Sequence, residues 1–179
     1  MKSIIKQYQV QKVKEVILYI LDKTGVISYF QLMKTMFCSE RINLLTWGEP
    51  LTILNYYAKK HGPVPNTIYR KIMAVRDGKS NDYNDIISFD NKYEIHANRK
   101  PDMDYLSQSD VESINKAISE LKGKEHNDIE TYLHDKVYDR IFATDKRLYE
   151  LEDIAESGGA DNNVIANIKE QKRIQKALL

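Results

Sequence analysis

A chain of 179 residues with 42% hydrophobic and 30% charged side chains, 4 prolines and 7 glycines can fill one domain core, and this composition excludes a disordered or fibrous protein. The lone cysteine, Cys38, excludes an internal disulfide framework and a cysteine-rich zinc site, so a reducing compartment, the cytoplasm, is expected. The net charge of +1 conceals a division: residues 1–80 hold 13 Lys+Arg against 5 Asp+Glu, and residues 81–179 hold 14 against 21. With no arginine-rich stripe in the basic half, nucleic acid is not an expected partner, whereas the two patches can face each other or separate partners.

The N-terminal MKSIIKQYQVQKVKE interleaves lysines with apolar residues and lacks the unbroken apolar core of a secretion signal. No apolar run reaches the ~20 residues of a membrane span, so export and insertion are not expected. Val10, Val13, Val16, Ile17, Ile20 and Leu21 recur every three or four residues and predict a first helix that Gly25 stops. Ser28 stands three residues before Gln31 in a capping-box pattern, opening a second helix that carries Phe30, Met33, Met36 and Phe37 into the RINLL segment. Residues 46–52, with Gly48 and Pro50, form a turn, and residues 53–61 fit helix or strand.

Gly62 and Val64 each precede a proline, whose ring drives the preceding residue into extended conformations. The chain therefore runs stretched through GPV, and Pro65 or Asn66 opens a third helix reaching Arg76. After a polar loop, IISFDNKYEIHA reads as a small β-hairpin turning at Asp90–Asn91. Ser109 is the expected cap of a helix over Val111, Ile114, Ala117, Ile118 and Leu121 that ends near Gly123. Helices are then expected over residues 128–142, 146–157 and 162–179. The sum is a mainly α fold of about seven helices with one hairpin, a single domain over 1–179 with its core in 9–155 and a C-terminal helix at 162–179.

No phosphate-binding glycine loop, paired-histidine zinc motif or nucleophile elbow occurs. His61, His96, His126 and His134 are scattered over four segments, and no metal or cofactor is expected from them. Cys38 beside Phe37 reads as a small core hydrophobe, the competing reading being a Cys38–His61 nucleophilic pair. Tyrosine suits half-buried layers and binding hot spots. Tyr56, Tyr57 and Tyr69, with Trp47 just upstream, thus form a candidate docking surface beside the proline-stiffened turn, against the plainer reading that they cover the core. The basic KEQKRIQKALL stretch reads as a docked helix, with an acidic partner or membrane surface as the competing reading.

Taken together, ILYILDKTGVISYFQLMKTMF, YYAKKHGPVPNTIYRKI, LSQSDVESINKAISEL and the histidine of YLHDKVY resemble the Panacea, or SocA-like, antitoxin domain family. Gly62, Pro63 and Val64 followed by Ile68 and Tyr69 match its GPV pattern. Leu32, Lys34 and Phe37 match its early helix, and His134 with Tyr138 match its late histidine and aromatic. Thr35 and Met36 stand where leucines are usual and Tyr138 where tryptophan is. The resemblance implies a non-enzymatic antitoxin that binds and neutralises a cognate toxin encoded nearby, and in one branch delivers it to an ATP-dependent protease. Trp47, Tyr56, Tyr57, His61, Gly62, Pro63, Val64, Tyr69, His134 and Tyr138 are the candidate partner-binding residues. A phage-linked hydrolase using His61 or His134 and a DNA-binding regulator are the readings from other classes.

Overall fold

The helix Tyr29–Trp47 has every residue from Leu32 to Leu44 buried, and a helix without a solvent face has to be enclosed by the rest of the chain. The enclosure is seen in a computed structural model that describes residues 2–79 and 81–177. In chain order its elements are α1 (Lys2–Thr24), β1 (Ile27–Ser28), α2 (Tyr29–Trp47), β2 (Tyr56–Lys59), β3 (Gly62–Pro65), α3 (Asn66–Arg76), β4 (Ile87–Phe89) and β5 (Glu94–Ala97). A 3₁₀ turn (Met103–Tyr105) then leads into α4 (Gln108–Leu121), α5 (His126–Leu133), α6 (Lys136–Phe142), α7 (Leu151–Ser157) and α8 (Asn162–Ala177). The protein is mainly α-helical, with two small antiparallel sheets, β1-β5-β4 and β2-β3.

Two apolar clusters meet at α2. Met33 and Met36 pack with Val16, Ile17 and Ile20 of α1, Ile68 and Ile72 of α3 and Ile95 of β5. Phe37 and Ile42 pack with Tyr56, Leu133, Tyr138, Ile154 and Ile168. The polar residues of α2 are buried too, and each must be satisfied. Glu40 accepts hydrogen bonds from the Leu51 amide (2.8 Å), the Thr52 amide (3.1 Å) and the Thr52 hydroxyl (2.7 Å). Asn43 donates to the Glu49 carbonyl at 2.9 Å and accepts from Ser113 of α4 at 2.9 Å. The loop after α2 is thus stitched back onto the helix it leaves. On α1, buried Glu15 takes both Arg99 nitrogens at 3.0 and 2.7 Å and the Asp102 amide at 2.7 Å.

The opposite charges of the two halves partly close on each other, as in Lys12–Asp110 (2.9 Å), Lys14–Asp85 (3.4 Å) and Lys71–Asp82. The basic tail is docked within the acidic half itself. Ile168 of α8 is buried, and Lys172 reaches Glu150 and Glu152 at the start of α7. Residues 178 and 179 of the expected last helix lie outside the described residues.

Several local expectations are corrected. The ambiguous 53–61 segment and the GPV stretch pair as a second hairpin, with Tyr56 opposite Pro65 and Lys59 opposite Gly62; a four-residue strand carries too short a pattern to announce itself. Both of its prolines lie in β3, at a sheet edge where a missing amide is tolerated. The cap of α4 is Ser107, whose hydroxyl accepts from the Asp110 amide while Asp110 accepts from the Ser107 amide; Ser109 lies inside the helix. The expected 128–142 helix is two, because Asp135 caps α6 by accepting from the Tyr138 amide at 2.8 Å and also takes the Ser157 hydroxyl at 2.7 Å. Leu148 bridges to Tyr57 of β2, with Ala58 N–H donating to the Arg147 carbonyl and Tyr149 N–H to the Tyr56 carbonyl, so α7 begins only at Leu151. Eight α-helices result among the described residues, not seven.

Candidate functional site

At the N-terminal end of α2, Lys34 has no exposed surface, and its Nζ donates to the Pro63 carbonyl at 2.9 Å while lying 5.0 Å from the Phe30 ring centre. Burial drives its pKa down to about 7, with the negative charge of Glu130 opposing the fall. Gly62 is complementary to this lysine. Its φ of +93° suits glycine, and a Cβ there would stand 3.0 Å from Lys34 Nζ. The rigid turn is therefore a strand edge pinned by a buried amine.

In front of this pin lies a cavity of about 670 Å³. Tyr29, Phe30, Met33, Val64, Tyr69 and Tyr93 give it apolar and aromatic walls, and Lys34, Lys59, Lys60 and His61 give it cationic groups. The β2–β3 turn supplies His61, α2 supplies Phe30, and β5's approach to α2 places Tyr93, whose carbonyl accepts from the Tyr29 amide at 2.9 Å. Tyr29 and Tyr69 face each other with ring centres 6.2 Å apart. A preformed, mostly apolar concavity with a few convergent polar groups is the usual form of a binding site.

Two of the four histidines, His61 and His126, meet at one edge of the cavity. His61 Nδ1 is 3.0 Å from Glu130 Oε2, and His126 Nε2 is 3.7 Å from the same oxygen. The His126 ring stacks on Phe30 with centres 3.5 Å apart. Burial alone would raise the Glu130 carboxyl, but the His61 hydrogen bond and the charges of His61, His134 and His126 together hold it below its ordinary range. His134 stacks on Tyr138 at 4.0 Å, nearly parallel, and its Nε2 is buried without a hydrogen-bond partner. Tyr138 donates its hydroxyl to the Lys59 carbonyl at 2.9 Å, tying α6 to β2.

The residues singled out from sequence are thus brought together unevenly. His61, Val64 and Tyr69 line the cavity, Gly62 and Pro63 contact its Lys34, and His134 and Tyr138 stand behind the hairpin. Tyr56 is 1% exposed and donates to the Met36 carbonyl at 3.3 Å, so its side chain offers nothing to a surface. Tyr57 is half-buried and bridged to Leu148. Trp47, 49% exposed, sits at the other end of α2, ~25 Å along the helix from Phe30. Cys38 is buried, and burial lifts its thiol to about 11, the setting of a core residue and not of a nucleophile.

The antitoxin SocA-like, Panacea domain family matches residues 32–137. The chain belongs to this family. The matched span of this SocA-like protein runs from the start of the buried part of α2 through the GPV hairpin to the first turn of α6, and so contains Lys34, His61, Pro63, His126 and Glu130. No match to a curated protein or to a solved structure was found. Among the described residues no helix is long and apolar enough to cross a membrane. Sequence reasoning missed Glu130 and His126 as site residues. The signal was there: four residues apart, they lie on one helix face. Tyr29 and Tyr93 had no such signal, since only tertiary pairing brings them to the cavity.

Proposed function

We propose that this SocA-like protein is an antitoxin that neutralises a cognate toxin by direct protein–protein binding and without catalysis of its own. Membership of the antitoxin family over residues 32–137 carries the reading. The cavity supports it, because aromatic walls held by a pinned hairpin lose little freedom on binding. Its exposed cationic or ionisable edge groups, Lys59, Lys60 and His61, suit a partner segment that offers an apolar side chain flanked by carboxylates. Cys38, buried in the core, offers no nucleophile to a catalytic alternative.

The test is co-expression with the product of the adjacent gene, scoring growth, co-purification and the neighbour's steady-state level. Rescue with a stable complex means masking. Rescue with loss of the neighbour means delivery to an ATP-dependent protease. Absence of both rescue and binding removes the antitoxin reading for that gene pair. Deleting residues 169–179 separates the two modes, because an adaptor that presents its tail to a protease still binds its toxin but no longer depletes it.

A further inference from the structure

We propose that His61, His126 and Glu130 form a binding site for a divalent transition-metal ion, zinc or a metal of similar coordination chemistry, at the edge of the cavity. One ligand atom from each of the three lies within 4.8 Å of the other two. Tetrahedral zinc with bonds of ~2.0–2.1 Å to nitrogen and oxygen sets its ligands ~3.3 Å apart. The observed separations from Glu130 Oε2, 3.0 Å to His61 and 3.7 Å to His126, bracket that spacing.

The arrangement exceeds what an ion pair requires. A salt bridge between Glu130 and His61 is complete with two groups, yet His126 also converges on the same carboxylate oxygen. His126 and Glu130 are four residues apart on α5, which puts both on one face, and the β2–β3 turn brings His61 across to them. Phe30 stacked on His126 fixes the plane of that imidazole, as orienting neighbours of metal ligands do. Two imidazoles and a carboxylate favour zinc, cobalt or nickel over magnesium or calcium, which prefer all-oxygen shells. Three protein ligands leave one coordination position open. His61 and His126 both also line the cavity, so a water molecule or a carboxylate or imidazole of an occupant can fill that position. The site stands independently of the antitoxin reading and concerns the chain alone.

The test uses the full-length chain and Co²⁺ alone, followed by displacement with Zn²⁺, monitored by visible absorption and by titration calorimetry. One Co²⁺ per chain with the intense absorption of a tetrahedral site, bleached by one equivalent of Zn²⁺, is expected. His61→Ala, His126→Ala and Glu130→Gln should each weaken binding by roughly tenfold or more. His96→Ala removes a histidine that instead pairs with Asp90 at 2.8 Å, and it should leave the affinity unchanged. Absence of saturable binding, or affinity that survives His61→Ala and His126→Ala, or equal loss in His96→Ala, overturns the proposal. Circular dichroism of Glu130→Gln, which preserves side-chain size, ensures that loss of binding reports the ligand set and not the fold.

Discussion

Lys34 and Pro63 are joined by a 2.9 Å hydrogen bond from the buried amine to the carbonyl, so the first third of α2 and the edge of the GPV hairpin move as one piece. The bond accounts for the stiffness of the turn. Two prolines keep the strand extended, and the lysine fixes where that extended strand lies.

The same lysine makes stability depend on pH. Its folded pKa is about 7 against 10.5 for the exposed group, with burial as the main cause. Between those values the unfolded chain holds a proton that the folded chain does not, so stability rises with pH by up to ~1.4 kcal/mol per unit. The contribution is complete above about 10.5, is lost as pH falls through that window, and is constant below about 7. Urea unfolding of wild type and Lys34→Met across this range should show the difference between them shifting toward wild type as pH rises. A difference that stays flat means that the amine remains charged in the fold.

Gly62→Ala places a Cβ at φ +93° and 3.0 Å from Lys34 Nζ. The strained backbone alone costs ~1–3 kcal/mol, and displacing the amine adds to it. Thermal or urea unfolding should therefore show a loss in that range, and a cycle with Lys34→Met should be non-additive because the two residues share one contact. Strict additivity would separate the glycine's role from the lysine's.

How much of this was legible in the sequence differs from element to element. The period of α1, the Ser28 cap, with its hydroxyl accepting from the Gln31 amide at 3.1 Å, and the β4–β5 hairpin follow from local rules, and all three appear in the fold. The β2–β3 hairpin does not, because its strands are four residues long and are stabilised by a lysine 29 positions away. The break at His134–Asp135 also depends on a distant partner, Ser157, which bonds to Asp135. The site shows the same limit. Val64 and Tyr69 could be picked out beside the prolines, whereas Tyr93 reaches the cavity only through the pairing of β1 with β5.

If the cavity receives the toxin, Tyr93 is the cleanest probe of it, since its side chain lines the cavity and the residue is 55% exposed. Tyr93→Ala should leave the melting temperature nearly unchanged and weaken the complex by about tenfold, the loss expected for an aromatic hot spot. Trp47→Ala, at the far end of α2, should change neither. Pull-down and calorimetry with the purified partner decide it, and the reverse pattern would move the docking surface to the C-terminal end of α2.

Glu40 tests the other end of the enclosed helix. Its carboxyl is fully buried, and burial pushes its pKa up to about 7 even though the Thr52 hydroxyl and the Leu51 and Thr52 amides donate to it. A folded pKa above the unfolded 4.5 means that the folded chain holds the extra proton, so this group favours folding below about 4.5 and loses that advantage as pH rises to about 7. Glu40→Ala should remove that dependence. It also leaves two amides and a hydroxyl buried without an acceptor, at ~1–3 kcal/mol each before relaxation. A net loss of ~3–5 kcal/mol in urea unfolding is expected, the scale of a broken buried polar network. A loss under ~1 kcal/mol would show that the 48–54 loop holds its place without the carboxylate, and that apolar packing of Leu51 alone fastens it to α2.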